Sequence, residues 1–224
     1  MIAIVAGGSG LTGQALVSEL IRSDEIKEVR TLLRASPPWK PHSKVKEYPL
    51  PWDGFKSLSK HPESHLSGDL YFCALGTTMK KAGTTEAFRA VDYDAVFEFA
   101  KLCEQRNGRC FALVSSSGAH PNSPIFYSRV KGEIEQEILK LKIPRILIFR
   151  PGLLIGERQE SRPTERAAIQ AWRALAAILP ESISHAAGTP VSKLARVITQ
   201  ESLKTDAGHL TFEPKDFILD QPDL

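Results

Sequence analysis

A chain of 224 residues can bury a sizeable core, and 42% hydrophobic with 25% charged residues is the make-up of an ordinary globular protein. Its 29 basic and 26 acidic side chains leave a net charge of +3 spread along the sequence, which excludes a concentrated nucleic-acid footprint and suits an anionic cofactor. The longest mainly apolar stretch, Ala167 to Leu179, is broken by Gln170 and Arg173 and is too short and too polar to cross a bilayer.

Met1 to Ala6 is apolar, but glycines end the run at once and no basic leader precedes it, so it does not read as a secretory signal. Ile2 to Ala6 instead predicts a buried strand, followed by a glycine turn and a helix from Leu11 to Arg22 with Leu16, Leu20 and Ile21 on one face. Val29 to Leu33 predicts a second strand, Lys44 to Tyr48 a weaker third and Leu70 to Leu75 a fourth. The prolines between Pro37 and Pro51 mark an irregular loop rather than a domain boundary. Phe88, Val91, Ala95, Phe99 and Cys103 follow a period near 3.6 and predict a helix, and Cys110 to Val114 predicts the next buried strand. Ser123-Pro124 supplies a cap and a first-turn proline for a helix whose apolar face is Phe126, Val130, Ile134 and Ile138; Ile146 to Phe149 is the strand after it. Helices from about Thr164 to Leu179 and from Pro190 to Lys204 come next, and then a short strand around Leu210 to Phe212.

Strands apolar on both faces and separated by crossover helices predict an α/β fold, a Rossmann-like doubly wound parallel sheet forming a single domain over residues 1–224. Residues from about 151 to 210 form its small C-terminal, substrate-side cover. Cys73, Cys103 and Cys110 are an odd number without paired spacing and read as reduced core thiols of a cytoplasmic protein.

Between the first strand and the first helix, Gly7, Gly10 and Gly13 form G-x-x-G-x-x-G, while Gly8, Gly10 and Gly13 satisfy G-x-G-x-x-G. Glycines there allow a tight turn and let main chain approach a pyrophosphate, whose charge meets the N–H groups at the helix start. An acid at the end of the second strand would accept from a ribose 2′-hydroxyl. This chain has Arg34 there, followed by Ala35 and Ser36, which favours a 2′-phosphate and therefore NADP(H).

Tyr127 and Lys131 lie four residues apart on one helical face, where the ammonium can ease ionisation of the phenol for acid/base work. The preceding strand ends in Ser115-Ser116-Ser117, at the sheet edge where such folds place their active sites.

Together, Gly7 to Gly13, Val114-Ser115-Ser116 and the Tyr127/Lys131 pair resemble the short-chain dehydrogenase/reductase superfamily. Phe72 to Thr78, Tyr127-x-x-Val130-Lys131-Gly132-Glu133, Phe149-Arg150-Pro151-Gly152 and Arg158 to Pro163 resemble its atypical branch, which contains the human Tat-interacting oxidoreductase and its bacterial homologues. The resemblance implies a Rossmann-like fold, NADP(H) binding, Tyr127 as proton donor or acceptor and Lys131 holding the nicotinamide ribose. It implies main-chain cofactor contacts from Ser9, Gly10, Leu11, Thr12, Leu75 and Gly76, with Leu154 and Arg162 closing over the cofactor. Ser116 is favoured as the serine that assists, with Ser115 second. Asp92 stands where many members of the superfamily carry an asparagine.

The activity expected is that of an NADP(H)-dependent oxidoreductase passing hydride between nicotinamide and a carbonyl, alcohol or enone, with a small-molecule substrate, no nucleic acid and no membrane span. The alternative is a redox-sensing protein that reports bound NADP(H) to a protein partner. His61 and His65 flank an acid at helical spacing but lack a third ligand, so no metal is expected. Trp172 reads as core packing.

Overall fold

Strands that are apolar on both faces are stable only inside a sheet covered by helices on each side. A computed structural model, which describes residues 1–33, 41–50, 55, 58–60, 64–156 and 188–217, places them there. In chain order come β1 (Ile2–Ala6), α1 (Leu11–Arg22), β2 (Glu28–Leu33), β3 (Val45–Pro49) and β4 (Leu70–Cys73). The short helices α2 (Met79–Ala82) and α3 (Thr85–Arg89) follow, and a π-helical turn over Ala90–Asp94 joins α3 to α4 (Ala95–Gln105). Next are β5 (Cys110–Val114), α5 (Phe126–Ile138), β6 (Arg145–Phe149), β7 (Leu154–Ile155), β8 (Thr189–Pro190), α6 (Val191–Leu203) and β9 (Gly208–Phe212).

The main sheet runs β3-β2-β1-β4-β5-β6-β9 with every neighbouring pair parallel, and β7 pairs with β8 separately. Strand order reverses between β1 and β4, and in an open sheet the crevice for a ligand forms beyond the strand ends at that point. Alternate residues of β1 feed two cores. Ala3 and Val5 meet Leu16, Val17 and Leu20 of α1 and Leu194 and Ile198 of α6, whereas Ile4 and Ala6 join Phe99 of α4 and Ile134 and Ile138 of α5. Phe55, Leu58 and Leu66, from the proline-marked region between β3 and β4, are fully buried in the second of these cores. All three cysteines are buried and reduced. Burial pushes the thiols up, Cys73 to about 12 and Cys110 to about 11, so neither has thiolate character at neutral pH. Among the described residues no helix is long and apolar enough to cross a membrane.

Two boundaries differ from the expected ones for local reasons. Ser123 does not cap α5: its hydroxyl accepts the Ile125 N–H at 3.2 Å in a turn ahead of the helix, and Ile125 takes the cap position. The helix expected through Val91 is interrupted by the π turn, in which Val91 is half-buried and Asp92 is the one buried residue. The expected helix from Thr164 to Leu179, with Trp172, lies outside the described residues.

Candidate functional site

At the end of β1 the chain turns through Gly7 at a φ of +83°, the left-handed region, and a Cβ there would stand 2.4 Å from the Ala74 carbonyl oxygen. On the opposite flank of the turn, a Cβ on Gly13 would lie 2.1 Å from the Gly7 carbonyl oxygen. The first and third glycines therefore allow strand, loop and helix to close on one another. Gly10 caps α1 without a side-chain hydrogen bond, and the first turn of the helix carries no acid. Donors of that turn are thus left to an anion, which is the environment a pyrophosphate requires. Ser9 and Gly10 are exposed, and the Gln14 amide steadies the loop by donating to the Ser9 carbonyl at 2.8 Å. Beside it, Leu11 is half-buried and Thr12 buried. Gly156, just after β7, comes to the same place, since a Cβ on it would be 3.1 Å from Leu11 Cδ1, while Leu154 of β7 is half-buried against the core on the α1 side of the sheet.

Beyond β4, Leu75 is buried and Gly76 exposed. Beneath Gly76 lies an ion pair between Lys131 of α5 and Asp92 of the π turn. Lys131 Nζ is 2.8 Å from Asp92 Oδ1, with side chains 4% and 1% exposed, and the other oxygen of Asp92 accepts the Thr77 N–H at 2.8 Å. Burial pulls the Lys131 ammonium down, but the Asp92 carboxylate, with Tyr127 adding to it, outweighs burial and holds it above the ordinary lysine range. Lys131 therefore does not present the unpaired charge that its spacing from Tyr127 suggested. One turn earlier, Tyr127 is half-buried and its ring packs on Phe88, with centroids 5.6 Å apart. The glycine of the Tyr127 to Glu133 motif lets α5 press against the loop before it, since a Cβ on Gly132 would stand 2.3 Å from the His120 carbonyl carbon.

The serines divide. Ser115, buried, donates its hydroxyl to Glu135 in a short contact, whereas Ser116 is half-exposed and donates to the Ser117 carbonyl at 3.2 Å. The Ser115 hydroxyl is thus buried against a carboxylate, whereas Ser116 and Ser117 lie nearer solvent beyond β5, Ser116 held by the long bond to its neighbour's carbonyl. Glu135, one turn past Lys131, is also held by Arg150: Nη2 lies 2.6 Å from Oε2, and Nε is 3.2 Å from both oxygens. Arg150 reaches on to Glu213 at 2.9 Å, closing a chain of polar groups from β5 through α5 and the end of β6 to the end of β9. The Glu135 carboxylate beside it raises Arg150 further above its already high range.

Sequence reasoning missed this clamp. Its signals were a carboxylate beside Ile134 on the buried side of a helix and an arginine directly after a wholly apolar strand.

Arg34, Ala35 and Arg162, with the Arg158 to Pro163 motif, lie outside the described residues. Leu33, just before Arg34, ends β2, and its neighbour Leu32 pairs with Ala6 at the end of β1.

No family model matches the sequence. The chain is 33% identical over 214 residues to Protein FMP52, mitochondrial, of Debaryomyces hansenii, covering 96% of this chain and 89% of that one. It is 32% identical over 208 residues to Protein HTATIP2 of Rattus norvegicus, covering 92% and 83%. The chain belongs to the HTATIP2/FMP52 family of atypical short-chain dehydrogenases/reductases. Solved structures of similar fold include MoeE5 in complex with UDP-glucose and NAD, with TM-score 0.70 at 15% identity over 95% of this chain and 75% of that one. Another is the Bordetella bronchiseptica enzyme WbmG in complex with NAD, with TM-score 0.69 at 12% identity over 95% and 72%. Both are far enough in sequence that they speak for the fold, which is the NAD(P)-binding oxidoreductase fold of the superfamily. The family corrects one expectation. Reduced thiols had suggested a cytoplasmic protein, but the FMP52 relatives from Debaryomyces hansenii and Candida albicans are named mitochondrial, which points away from that placement. Buried thiols stay reduced in any compartment that does not unfold the chain, so they carried no address.

Proposed function

We propose that this protein is an NADP(H)-dependent oxidoreductase acting on a carbonyl, alcohol or enone of a small molecule. The observation that carries the reading is the convergence of two unrelated elements at one sheet edge. The uncapped start of α1 lies beyond β1, and the Lys131 ammonium lies under exposed Gly76 beyond β4, the strand beside β1.

The glycine loop fits the pyrophosphate, because a Cβ at Gly7 or Gly13 would fill the space the turn needs. Ser9 to Thr12, Leu75, Gly76 and Leu154 would line the cofactor. Arg34, following β2, would pair with the 2′-phosphate that distinguishes NADP(H) from NAD(H). When bound, the nicotinamide supplies or accepts the hydride. In reduction Tyr127 passes its phenolic proton to the oxygen that gains charge, and Ser116 donates a hydrogen bond to the same oxygen, worth most where its charge is greatest. Lys131 offers N–H donors to the ribose.

The test is NADPH consumption against a panel of aldehydes, ketones and quinones, with the native chain and with Tyr127→Phe. The variant should retain NADPH binding and lose about 10²-fold or more in kcat. Turnover that survives Tyr127→Phe removes the acid/base assignment, and tight NADPH binding without turnover of any substrate favours a redox-reporting protein instead. Arg34→Ala should weaken NADPH far more than NADH; equal losses would sink the 2′-phosphate assignment.

A further inference from the structure

A lysine with 4% of its side chain exposed is costly to keep charged, and without a counter-ion it gives up its proton instead. The groups facing Lys131 come from three elements. Asp92 comes from the π turn, Tyr127 from α5 itself and Cys73 from the end of β4. The Cys73 thiol, pushed up to about 12 by burial, is neutral. The balancing charge therefore falls to Asp92. Its placement is fixed at both oxygens: Asp92 is the buried residue of the π turn, the Thr77 N–H donates to Oδ2, and Oδ1 faces the ammonium. The pair lies directly under the main chain of the loop after β4. A Cβ on Gly76 would stand 3.4 Å from Asp92 Oδ1 and 3.9 Å from Lys131 Nζ.

We propose that Asp92 is the positioning residue of this site: its carboxylate pins the Lys131 ammonium beneath Gly76 and keeps it charged through the neutral and mildly alkaline range, so that a cationic donor is present for the cofactor ribose. This rests on the cofactor reading above. A consequence is that the pair carries no net charge, so Lys131 acts on ligand and neighbours chiefly through its N–H donors.

The experiment follows NADPH affinity by fluorescence from pH 6 to 9, so that it does not depend on finding a substrate. The native chain should bind with an affinity that changes little across the range. Asp92→Asn should bind nearly as well at pH 6 and lose about tenfold by pH 9, as the unpartnered lysine gives up its proton. Lys131→Met should bind weakly at every pH, and adding Asp92→Asn to it should cost nothing further. An Asp92→Asn chain whose affinity runs parallel to the native one across pH overturns the proposal, as does a further loss in the double variant. Where Asp92→Asn does not fold, lysine side-chain NMR of the native chain decides: Lys131 should stay protonated past the ordinary lysine range, and titration below it rejects the pairing role. A native chain that binds no NADPH at any pH sinks the cofactor reading itself, while the lysine titration still decides on the pair.

Discussion

On the β1 side of the crevice the protein offers a ligand almost nothing but main chain; on the α5 side it offers side chains whose partners arrive from distant parts of the sequence. Gly7, Gly10 and Gly13 act within one turn, and the atoms that side chains on Gly7 and Gly13 would strike are main chain: Ala74 and Leu75 for the first, Gly7 and Gly8 for the second. Lys131 and Glu135, one turn apart on α5, depend on Asp92 from the π turn and on Arg150 from the end of β6. A site made of main chain fails by steric overlap. A site made of buried ions fails when a charge is left unpaired, and the second failure is the larger.

The largest expected effect is therefore at Arg150. Arg150→Ala strands Glu135, which is 3% exposed, with the Ser115 hydroxyl, and should cost about 3–5 kcal/mol in denaturant unfolding. A loss below about 1 kcal/mol would mean that the clamp is no stronger than a surface pair.

Next comes Gly13→Ala. The added carbon, 2.1 Å from a main-chain oxygen, cannot be relieved by a side-chain rotation, so loop and helix must part. About 3 kcal/mol of stability and at least tenfold in NADPH affinity should go together. Loss of stability with unchanged affinity would remove the loop from the cofactor site.

The difference between the two sides also decides what could be read from the sequence. The inner strands and the glycine turn were legible because each is specified within a few residues: buried apolar runs for the strands, glycine spacing for the turn, while the polar edge strands β3 and β9 were the weaker readings. Tyr127 and Lys131 were legible as a spacing, but the state of Lys131 was not. Its partner lies on another element, where an apolar pattern picked out Val91 and passed over the acid beside it. A π turn costs one residue of register and leaves no compositional mark, so Asp92 appeared only as a departure from a superfamily asparagine. Ser116 was preferred to Ser115 only through the resemblance; the contact that separates them, Glu135 reaching Ser115, comes from another element and could not be read from the strand end.

A smaller effect, on the alkaline side, probes the Lys131 pair alone. The ammonium is held above its unfolded value, so its contribution is fully present below roughly pH 10.4, the unfolded lysine value, and is lost as pH rises through the higher folded value. The native chain should accordingly lose stability more steeply above that pH than Lys131→Met does. Parallel alkaline limbs would show that the lysine has the same affinity for its proton folded and unfolded.

The smallest expected effect sharpens the comparison most, because it falls on the residue the sequence motif contains. Glu133 closes the run Tyr127-x-x-Val130-Lys131-Gly132-Glu133, while Glu135, two positions on, belongs to no motif read from the sequence. In the folded protein their weights reverse. Glu133 pairs with Arg89 at 2.6 Å, but with side chains 32% and 40% exposed, where water and salt screen the charges and ordering two long side chains offsets much of the attraction. Glu135 points the other way on the helix, into the Ser115 and Arg150 clamp. Glu133→Gln should change unfolding free energy by less than about 0.5 kcal/mol, and by less still in high salt, whereas Glu135→Gln should cost several times as much at either salt concentration. Equal effects in the two variants would mean that burial does not set the worth of a carboxylate on α5, and the contrast between its two sides would fall.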